Sequence, residues 1–451
     1  MESDFDRMSA SVNHQGFKKY LSNTSWLFAE KIFRMLIVLL ITIWMARYLG
    51  PERFGLFSYA LSFVALFSVL ASLGLEKLLP KELIGHPKKE MEILGTSFFL
   101  KIIGSLILLI VAAYVITLLR PDDELILALI LIFSVTNFFK SFEIIRYWFE
   151  THVQAKYSVA VDAITVTLSV IAKAVLIILQ APLIAFAWVV LAEAVVLALG
   201  LVAVYAFKSH KITAWRVDGE QIKHLLKEAW PLILAGGLYT IYTRIDQIML
   251  GDMIGNESVG IYTAAIRISE GWFFIPAIIG TSLYPALLNA KKRDQNLYLE
   301  RTQHLLNIMV LLGFSAGIVI SLIAYPFITF AFGGSYEQSS PVLVIHIWGG
   351  IFTAMSAISY RYFITEGLQK TSFYRGLTGL ISNIILNYLL IPLYGAIGAA
   401  VATVVSQVLA LYLFNLTNAK TRPMFYMQTK AILLTDAYNT LKHIKTLRSN
   451  R

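Results

Sequence analysis

The chain has 451 residues, of which 57% are hydrophobic and only 15% are charged. Its mean hydropathy of +0.68 excludes a soluble globular protein, because a soluble domain carries roughly 25% charged residues and could not bury this much apolar surface. The net charge of +10 comes from basic residues scattered among short loops, so it indicates membrane topology rather than nucleic-acid binding. The lack of cysteine excludes disulfides, thiolate metal sites and thiol nucleophiles.

Twelve apolar runs are long enough to cross a bilayer as helices, which takes about 20 residues. In chain order they lie near residues 21–45, 54–75, 93–119, 124–149, 157–180, 182–207, 228–250, 259–285, 303–331, 341–364, 372–392 and 395–418. Residues 1–19 are polar and no small-residue cleavage pattern follows the first run, so we expect no cleavable signal peptide. The sequence therefore predicts an all-α integral membrane protein.

Basic residues fill alternate loops between these runs. The basic loops carry Lys77, Lys81, Lys88, Lys89, Arg146, Lys156, Lys208, Lys211, Arg216, Lys223, Lys227, Lys291, Lys292, Arg293, Arg301, Lys370 and Arg375. The other loops, near 121–124, 180–182, 252–257, 332–340 and 392–395, are short and neutral or acidic, and only the first external loop, with Arg47 and Arg53, is mildly basic. This alternation predicts that both termini are cytoplasmic. The short external loops also disfavour a membrane glycan polymerase or ligase, which needs an external catalytic domain.

The chain repeats a stretch at half its length. LGPERFGLFSYALSF at 49–63 matches IGNESVGIYTAAIRI at 254–268, so that Gly50 meets Gly255 and Gly55 meets Gly260. A repeat of this length indicates duplicated lobes, and an even number of spans in each makes them parallel repeats. We predict an N-terminal six-helix lobe (1–207), a cytoplasmic linker (208–227), a C-terminal six-helix lobe (228–419) and a basic cytoplasmic tail (420–451). The tail is either an amphipathic helix on the inner leaflet or partly ordered.

Ionisable residues inside the first six spans are candidate functional groups, because each costs roughly 2.5–3.5 kcal/mol at the centre of a membrane helix. Arg34 lies deepest in span one, and either reaches a cavity or pairs with Glu30 four residues earlier. In span five, a narrow stripe either lines a cavity or bonds to neighbouring helices. The stripe consists of Asp162, Thr165, Ser169 and Lys173. Glu193, near the middle of span six, is a candidate site for a coupling ion or a buried neutral acid.

The second half supplies a similar set. Span seven carries Tyr239, Tyr242, Arg244 and Asp246, and span eight carries Arg267 and Glu270. Arg244 and Asp246 point about 200° apart around the helix and so cannot pair within it. We therefore expect Tyr239 and Tyr242 to line a cavity and Asp246 to be a second candidate for ion coupling.

The buried cations Arg34, Lys173, Arg244 and Arg267 come from both halves, which predicts an anionic ligand between two lobes. Nearby aromatic residues could stack on sugar rings, or could simply mark the membrane interface. They are Trp26, Tyr239, Tyr242, Trp272 and Tyr360. No P-loop, HExxH motif or metal-ligand cluster is present, so we expect no catalytic residues, no bound metal and no ATP hydrolysis.

Three stretches resemble a known family. ARYLGPERFGLFSYALSFVALF, YTRIDQIMLGDMIGNESVGIYTAAIRISE and LIPLYGAIGAAVATVVSQVL are similar to the polysaccharide flippases, the Wzx-type O-antigen and capsule repeat-unit transporters of the MOP (multidrug/oligosaccharidyl-lipid/polysaccharide) superfamily. The resemblance covers nearly the whole chain. It implies a MATE-like, V-shaped transporter of the bacterial inner membrane that moves an undecaprenyl-diphosphate-linked oligosaccharide by alternating access.

The resemblance also implies a cationic cavity, coupling to H⁺ or Na⁺, and membrane lipids and the polysaccharide polymerase machinery as partners. It places Arg244 and Asp246 in a cavity element. The competing interpretation is a cation-coupled multidrug exporter of the same superfamily. That class favours buried carboxylates for cationic substrates, whereas buried basic residues are at least as numerous here.

Overall fold

The computed structural model describes the backbone of residues 2–435 and the side chains of residues 34–435. Over that range the chain is helical and contains no β-strand. Contacts divide it into two compact units. The first holds the residues up to Tyr48 and Ala60–Thr240, and the second holds Leu49–Tyr59 and the residues from Ile241 onward.

The first unit is built from seven helices and the start of an eighth. These are α1 (Glu2–Ser72), α2 (Leu75–Gly85), α3 (Glu90–Leu119), α4 (Glu124–Lys140), α5 (Ile144–Thr151), α6 (Lys156–Ile178), α7 (Leu183–Phe207) and α8 (Gly219–Met253). Their core includes Leu79, Ile144, Trp148 and Tyr205, all essentially buried. The predicted linker is only partly irregular, because α8 already begins at Gly219.

The second unit contains the rest of α8 and six further helices. These are α9 (Asn256–Gly271), α10 (Phe274–Arg293), α11 (Gln295–Ala331), α12 (Ser339–Thr365), α13 (Gln369–Gln407) and α14 (Arg422–Ile432). A π-helical turn, Val408–Tyr412, follows α13. The predicted eighth span is broken between α9 and α10, two residues before Pro276, whose missing N–H is tolerated in the first turn of a helix.

Nine segments in the described part of the chain are long and apolar enough to cross a membrane. Two of them, Arg34–Gly85 and Gln369–Leu416, contain a glycine with non-helical dihedral angles, Gly50 and Gly395, and so divide into two crossings each. Helix α8 is not among the nine, because polar and charged side chains lower its hydropathy. Counting both halves of the broken segments and adding α8 is consistent with the twelve predicted crossings.

The repeated stretch bends the backbone at the same place in both copies. Gly50 has φ 71° and Gly255 has φ 125°, values that side-chain-bearing residues rarely adopt. The two copies also pack closely within the second unit. A Cβ atom on Gly55 would lie 1.7 Å from the Asn256 carbonyl oxygen, and one on Gly260 would lie 2.0 Å from the Pro51 carbonyl oxygen. The contact is reciprocal, as duplication predicts.

The described part of the predicted tail packs on the protein. Helix α14 buries Met424 and Ala431 completely in the core of the second unit, together with Leu306 and Met309 of α11. Its apolar face therefore contacts α11. The remainder of the predicted tail, residues 436–451, lies outside the described residues.

Candidate functional site

The strongest polar cluster of the second unit surrounds Asp246 of α8. The Tyr262 hydroxyl of α9 donates to Asp246 Oδ2 at 2.6 Å, and the Thr403 hydroxyl of α13 donates to the same oxygen at 2.7 Å. Asn387, also on α13, donates its side-chain amide to Asp246 Oδ1 at 2.5 Å. Helices α9 and α13 therefore both donate to one carboxylate on α8.

This carboxylate is 5% exposed, and its three partners are also buried. All three are neutral. Among the residues that the structure describes, Asp246 forms no ion pair with a lysine or arginine. A buried carboxylate normally requires a positive partner, because its charge is costly to remove from water. The cluster therefore holds an acidic group that lacks a fixed counter-ion.

Three further oxygens belong to these donors or lie next to them. Asn387 donates to Asn383 Oδ1 at 3.1 Å, while its own Oδ1 is buried and accepts no hydrogen bond. The Thr403 hydroxyl also lies 3.0 Å from the Ala399 carbonyl oxygen. Carboxylate, amide, hydroxyl and carbonyl oxygens are the ligands that hard cations prefer. The arrangement can hold either a proton on Asp246 or a small cation among these oxygens.

The sequence identified Asp246 but not its partners. Asn383 and Asn387 stand four residues apart and therefore on one face of α13, and Thr403 lies one further helical segment along the chain. Two asparagines at this spacing in an apolar helix were a usable signal. Only the fold could show that they face Asp246.

The predicted cations of the second unit lie near one acidic residue. Arg244 and Arg267 are half-buried and repel each other, and both attract Glu270. Glu270 is exposed. Among the residues that the structure describes, neither arginine lies within ion-pair distance of Glu270. Of the predicted aromatic residues, Tyr239 is 70% exposed, whereas Tyr242 is half-buried against Gly379.

In the first unit, the predicted cation Lys173 contacts the predicted coupling acid Glu193. Lys173 Nζ lies 3.3 Å from Glu193 Oε2, and the Ser169 hydroxyl donates to the same oxygen at 2.5 Å. Both charged groups are partly exposed. The predicted substrate-binding cation and the predicted coupling acid therefore form one ion pair between α6 and α7.

The rest of the polar stripe on α6 is buried. Asp162 forms an ion pair with Arg146 of α5 at 2.6 Å, so this arginine, counted above among the basic loops, has a specific partner on α6. Thr165 is buried, and its hydroxyl has no hydrogen-bond partner among the described residues. Arg34 is exposed on α1, and the side chains of Trp26, Glu30 and Lys31 lie outside the described residues.

Two buried basic residues escaped the sequence analysis. Arg375, assigned there to a cytoplasmic loop, is 3% exposed on α13 and donates to the carbonyl oxygens of Ala410 and Leu411. These carbonyls belong to the π-helical turn, whose irregular bonding leaves acceptors for it. Lys101 is buried on α3, and its charge in an apolar run was the signal that could have found it.

Two known protein families match ranges of this chain. The family described as "Polysaccharide biosynthesis protein" matches residues 20–291, which is more than half of the chain. A second family, MatE, matches residues 231–389. The two matches overlap across α8, α9 and most of α10, the region that contains Asp246.

Curated relatives match over part of their length. The chain is 26% identical over 183 residues to the "Capsular polysaccharide biosynthesis protein CapF" of Staphylococcus aureus, covering 40% of this chain and 46% of that protein. It is 29% identical over 176 residues to the "Probable flippase AglR" of Haloferax volcanii, covering 37% of this chain and 36% of that protein. The matched stretch thus spans less than half of each relative.

A solved structure shows the same fold over nearly the whole chain. It is titled "Lipid II flippase MurJ, inward closed conformation" and matches with a TM-score of 0.70 at 17% identity, covering 90% of both chains. The likeness confirms the all-α membrane fold predicted from the sequence. With the family match across residues 20–291, it leads to one conclusion: the chain belongs to the polysaccharide biosynthesis protein family.

Proposed function

We propose that the chain is a flippase, a secondary transporter rather than an enzyme, for an undecaprenyl-diphosphate-linked oligosaccharide repeat unit. The repeat unit would build O-antigen or another surface polysaccharide. The observation that carries the proposal is Asp246, a buried carboxylate held only by neutral donors. A buried carboxylate without a fixed counter-ion can take up a proton or a small cation, and exchange of that ion can couple transport to an ion gradient.

The substrate class is supported by family and by charge. The matched family is described as "Polysaccharide biosynthesis protein". Two of the proteins similar to this chain are named flippases. Half-buried Arg244 and Arg267 provide guanidinium groups, which suit phosphate oxygens by geometry and by permanent charge. Lys173 is the matching cation of the first unit, released for substrate only when Glu193 is neutralised.

We assign coupling to Na⁺ at Asp246 in preference to H⁺. The carboxylate, the unbonded Oδ1 of Asn387, the Asn383 amide oxygen, the Thr403 hydroxyl and the Ala399 carbonyl supply oxygens without a second negative charge. One carboxylate balances one monovalent cation. Glu193 stays a second candidate, and its ion pair with Lys173 suits a proton, since protonation of Glu193 would break that pair.

The test of the function is a deletion strain of the source cell. Polyprenyl-diphosphate-linked sugars are extracted and their leaflet is determined by access to a membrane-impermeant label. We expect inward-facing repeat units to accumulate, surface polysaccharide to be lost, and the wild-type gene to restore both. The same assay tests the bacterial inner membrane as the site of action. Unchanged surface glycan without accumulation would overturn the proposal.

A multidrug exporter is the second candidate, because the MatE family matches residues 231–389. Its substrates are commonly cationic and would be repelled by Arg244 and Arg267. Sensitivity of the deletion strain to cationic drugs discriminates between the two. Increased drug sensitivity with normal surface polysaccharide would favour the exporter.

A further inference from the structure

A cavity of about 210 Å³ lies inside the first unit. It is bounded by the end of α1, the start of α2, the middle of α3, the end of α4 and the part of α8 before Ile241. Its polar lining includes Lys77, Lys101, Asn137, Lys140 and Glu143. The predicted topology places the loop that carries Lys77 on the cytoplasmic side, so the cavity lies toward that side.

Lys101 is the buried charge of this cavity. Its side chain is 6% exposed, and Nζ donates to the Lys140 carbonyl oxygen at 3.2 Å. In the described part of the chain, no carboxylate lies within ion-pair distance of this ammonium group. Glu76 and Glu143 attract it only from farther away. An ammonium group buried with a single carbonyl partner lacks most of the compensation that burial requires.

Other donors face the same space. Helix α2 begins at the cavity, where Gly74 adopts a left-handed conformation (φ 64°) and no side chain caps the helix. The first N–H groups of a helix have no intrahelical acceptors and favour an anion. The exposed side chains of Lys77 and Lys140 lie at the rim. Cations therefore reach the cavity from α2, α3 and α4.

We propose that this cavity binds the phosphate or diphosphate of a lipid headgroup, with Lys101 as its buried contact. The inference rests on the proposed function for the ligand's identity, which we take to be the polyprenyl-diphosphate substrate at its point of entry. A diphosphate fits the volume and needs several cationic contacts. Ordinary anionic phospholipid offers the same chemistry, so the experiment has to separate the two sources.

The carboxylates at the cavity allow a second test of anion binding. Glu143 is half-buried and Glu76 is exposed at the rim, and both oppose an incoming anion. Removing the Glu143 charge should therefore tighten anion binding, whereas removing the Lys101 charge should weaken it. If Lys101 only stabilised the fold, removing its charge and removing the Glu143 charge would not change the affinity for one ligand in opposite directions.

The experiment measures binding of farnesyl diphosphate to the purified full-length protein in uncharged detergent, with inorganic pyrophosphate and phosphatidylglycerol as competitors. We expect K101M to lose about tenfold or more in affinity, the usual effect of removing a charged hydrogen-bond donor, and E143Q to gain affinity. K88Q, which removes an exposed lysine that does not line the cavity, is the control and should change affinity little. K77Q, at the exposed rim, should weaken binding a few-fold without threatening the fold.

Equal affinity of wild type, K101M and K77Q would overturn the site. Displacement by phosphatidylglycerol as efficient as by unlabelled farnesyl diphosphate would overturn the substrate as source in favour of phospholipid. Equal binding of pyrophosphate would overturn the need for a lipid chain. Normal translocation by K101M would contradict this site and leave the proposed function standing. Lys101-dependent binding in a protein whose deletion causes no accumulation would support the site and contradict the function.

Discussion

Two buried aspartates, one in each unit, have opposite surroundings. Asp162 in the first unit forms an ion pair with Arg146 at 2.6 Å. Asp246 in the second unit is equally buried, but its partners are the neutral side chains of Tyr262, Asn387 and Thr403. A fixed cation makes the first aspartate part of the helix packing. No such cation pairs with the second among the described residues, and on this ground we propose that it binds an exchangeable ion. Residue type and depth alone do not separate these roles.

The largest expected effect is that of D246N on transport. The substitution removes the negative charge and keeps the shape, so we expect it to abolish Na⁺-dependent translocation while the protein still reaches the membrane. In purified protein, saturating Na⁺ should stabilise wild type by about 2–3 kcal/mol at a hundred times its dissociation constant. D246N should lose this response. The measurement is thermal unfolding in NaCl against KCl at equal ionic strength.

The counterpart D162N tests the other half of the comparison. It leaves half-buried Arg146 without this carboxylate, so we expect a loss below the ~3–5 kcal/mol that breaking a fully buried pair costs. We expect a lower unfolding temperature but an unchanged difference between NaCl and KCl. If D162N instead removed the Na⁺ response and D246N kept it, the assignment of roles would be reversed.

A double variant tests whether the role of Asp162 is structural. R146M together with D162L replaces the ion pair by apolar side chains, which is often neutral for stability or stabilising by about 1–4 kcal/mol. We expect the double variant to recover most of the stability lost by D162N. Recovery of stability without recovery of transport would show that Arg146 or Asp162 also contacts substrate.

The smallest expected effects are those of substitutions at two buried threonines, which form a matched pair. Thr403 donates to Asp246, whereas the Thr165 hydroxyl is buried without a partner among the described residues. We expect T403V to weaken Na⁺ binding several-fold, because it removes one oxygen and leaves the carboxylate short of a donor at a cost of about 1–3 kcal/mol. T165V should leave Na⁺ affinity unchanged and stability equal or slightly higher. Titration of the thermal shift with Na⁺ measures both.

Much of the architecture was predictable because the membrane imposes simple rules. Apolar length located the helices, and the repeat aligned Gly50 with Gly255, both of which the structure places at bends of the backbone. The resemblance in three stretches correctly predicted the family and the helical fold. The roles of the predicted site residues stay predictions, although the structure brings Lys173 and Glu193 together.

Arg375 shows where such reasoning fails. Its position near the end of an apolar run made it resemble a loop cation, yet it is buried and donates to carbonyl oxygens more than thirty residues later in the chain. Whether a basic residue near a span end faces water or the protein depends on which carbonyls its neighbours leave unsatisfied. That information is not local.

The sequence by itself determined that the chain is a helical membrane protein with a duplicated plan and with costly charges in its spans. These properties follow from apolar length and charge, which each segment carries alone. Only the tertiary structure decided which charges are neutralised. Within residues 34–435, Asp162 pairs with an arginine and Asp246 with none. Their partners come from other helices, and a pairing free energy depends on distances that a single segment cannot specify.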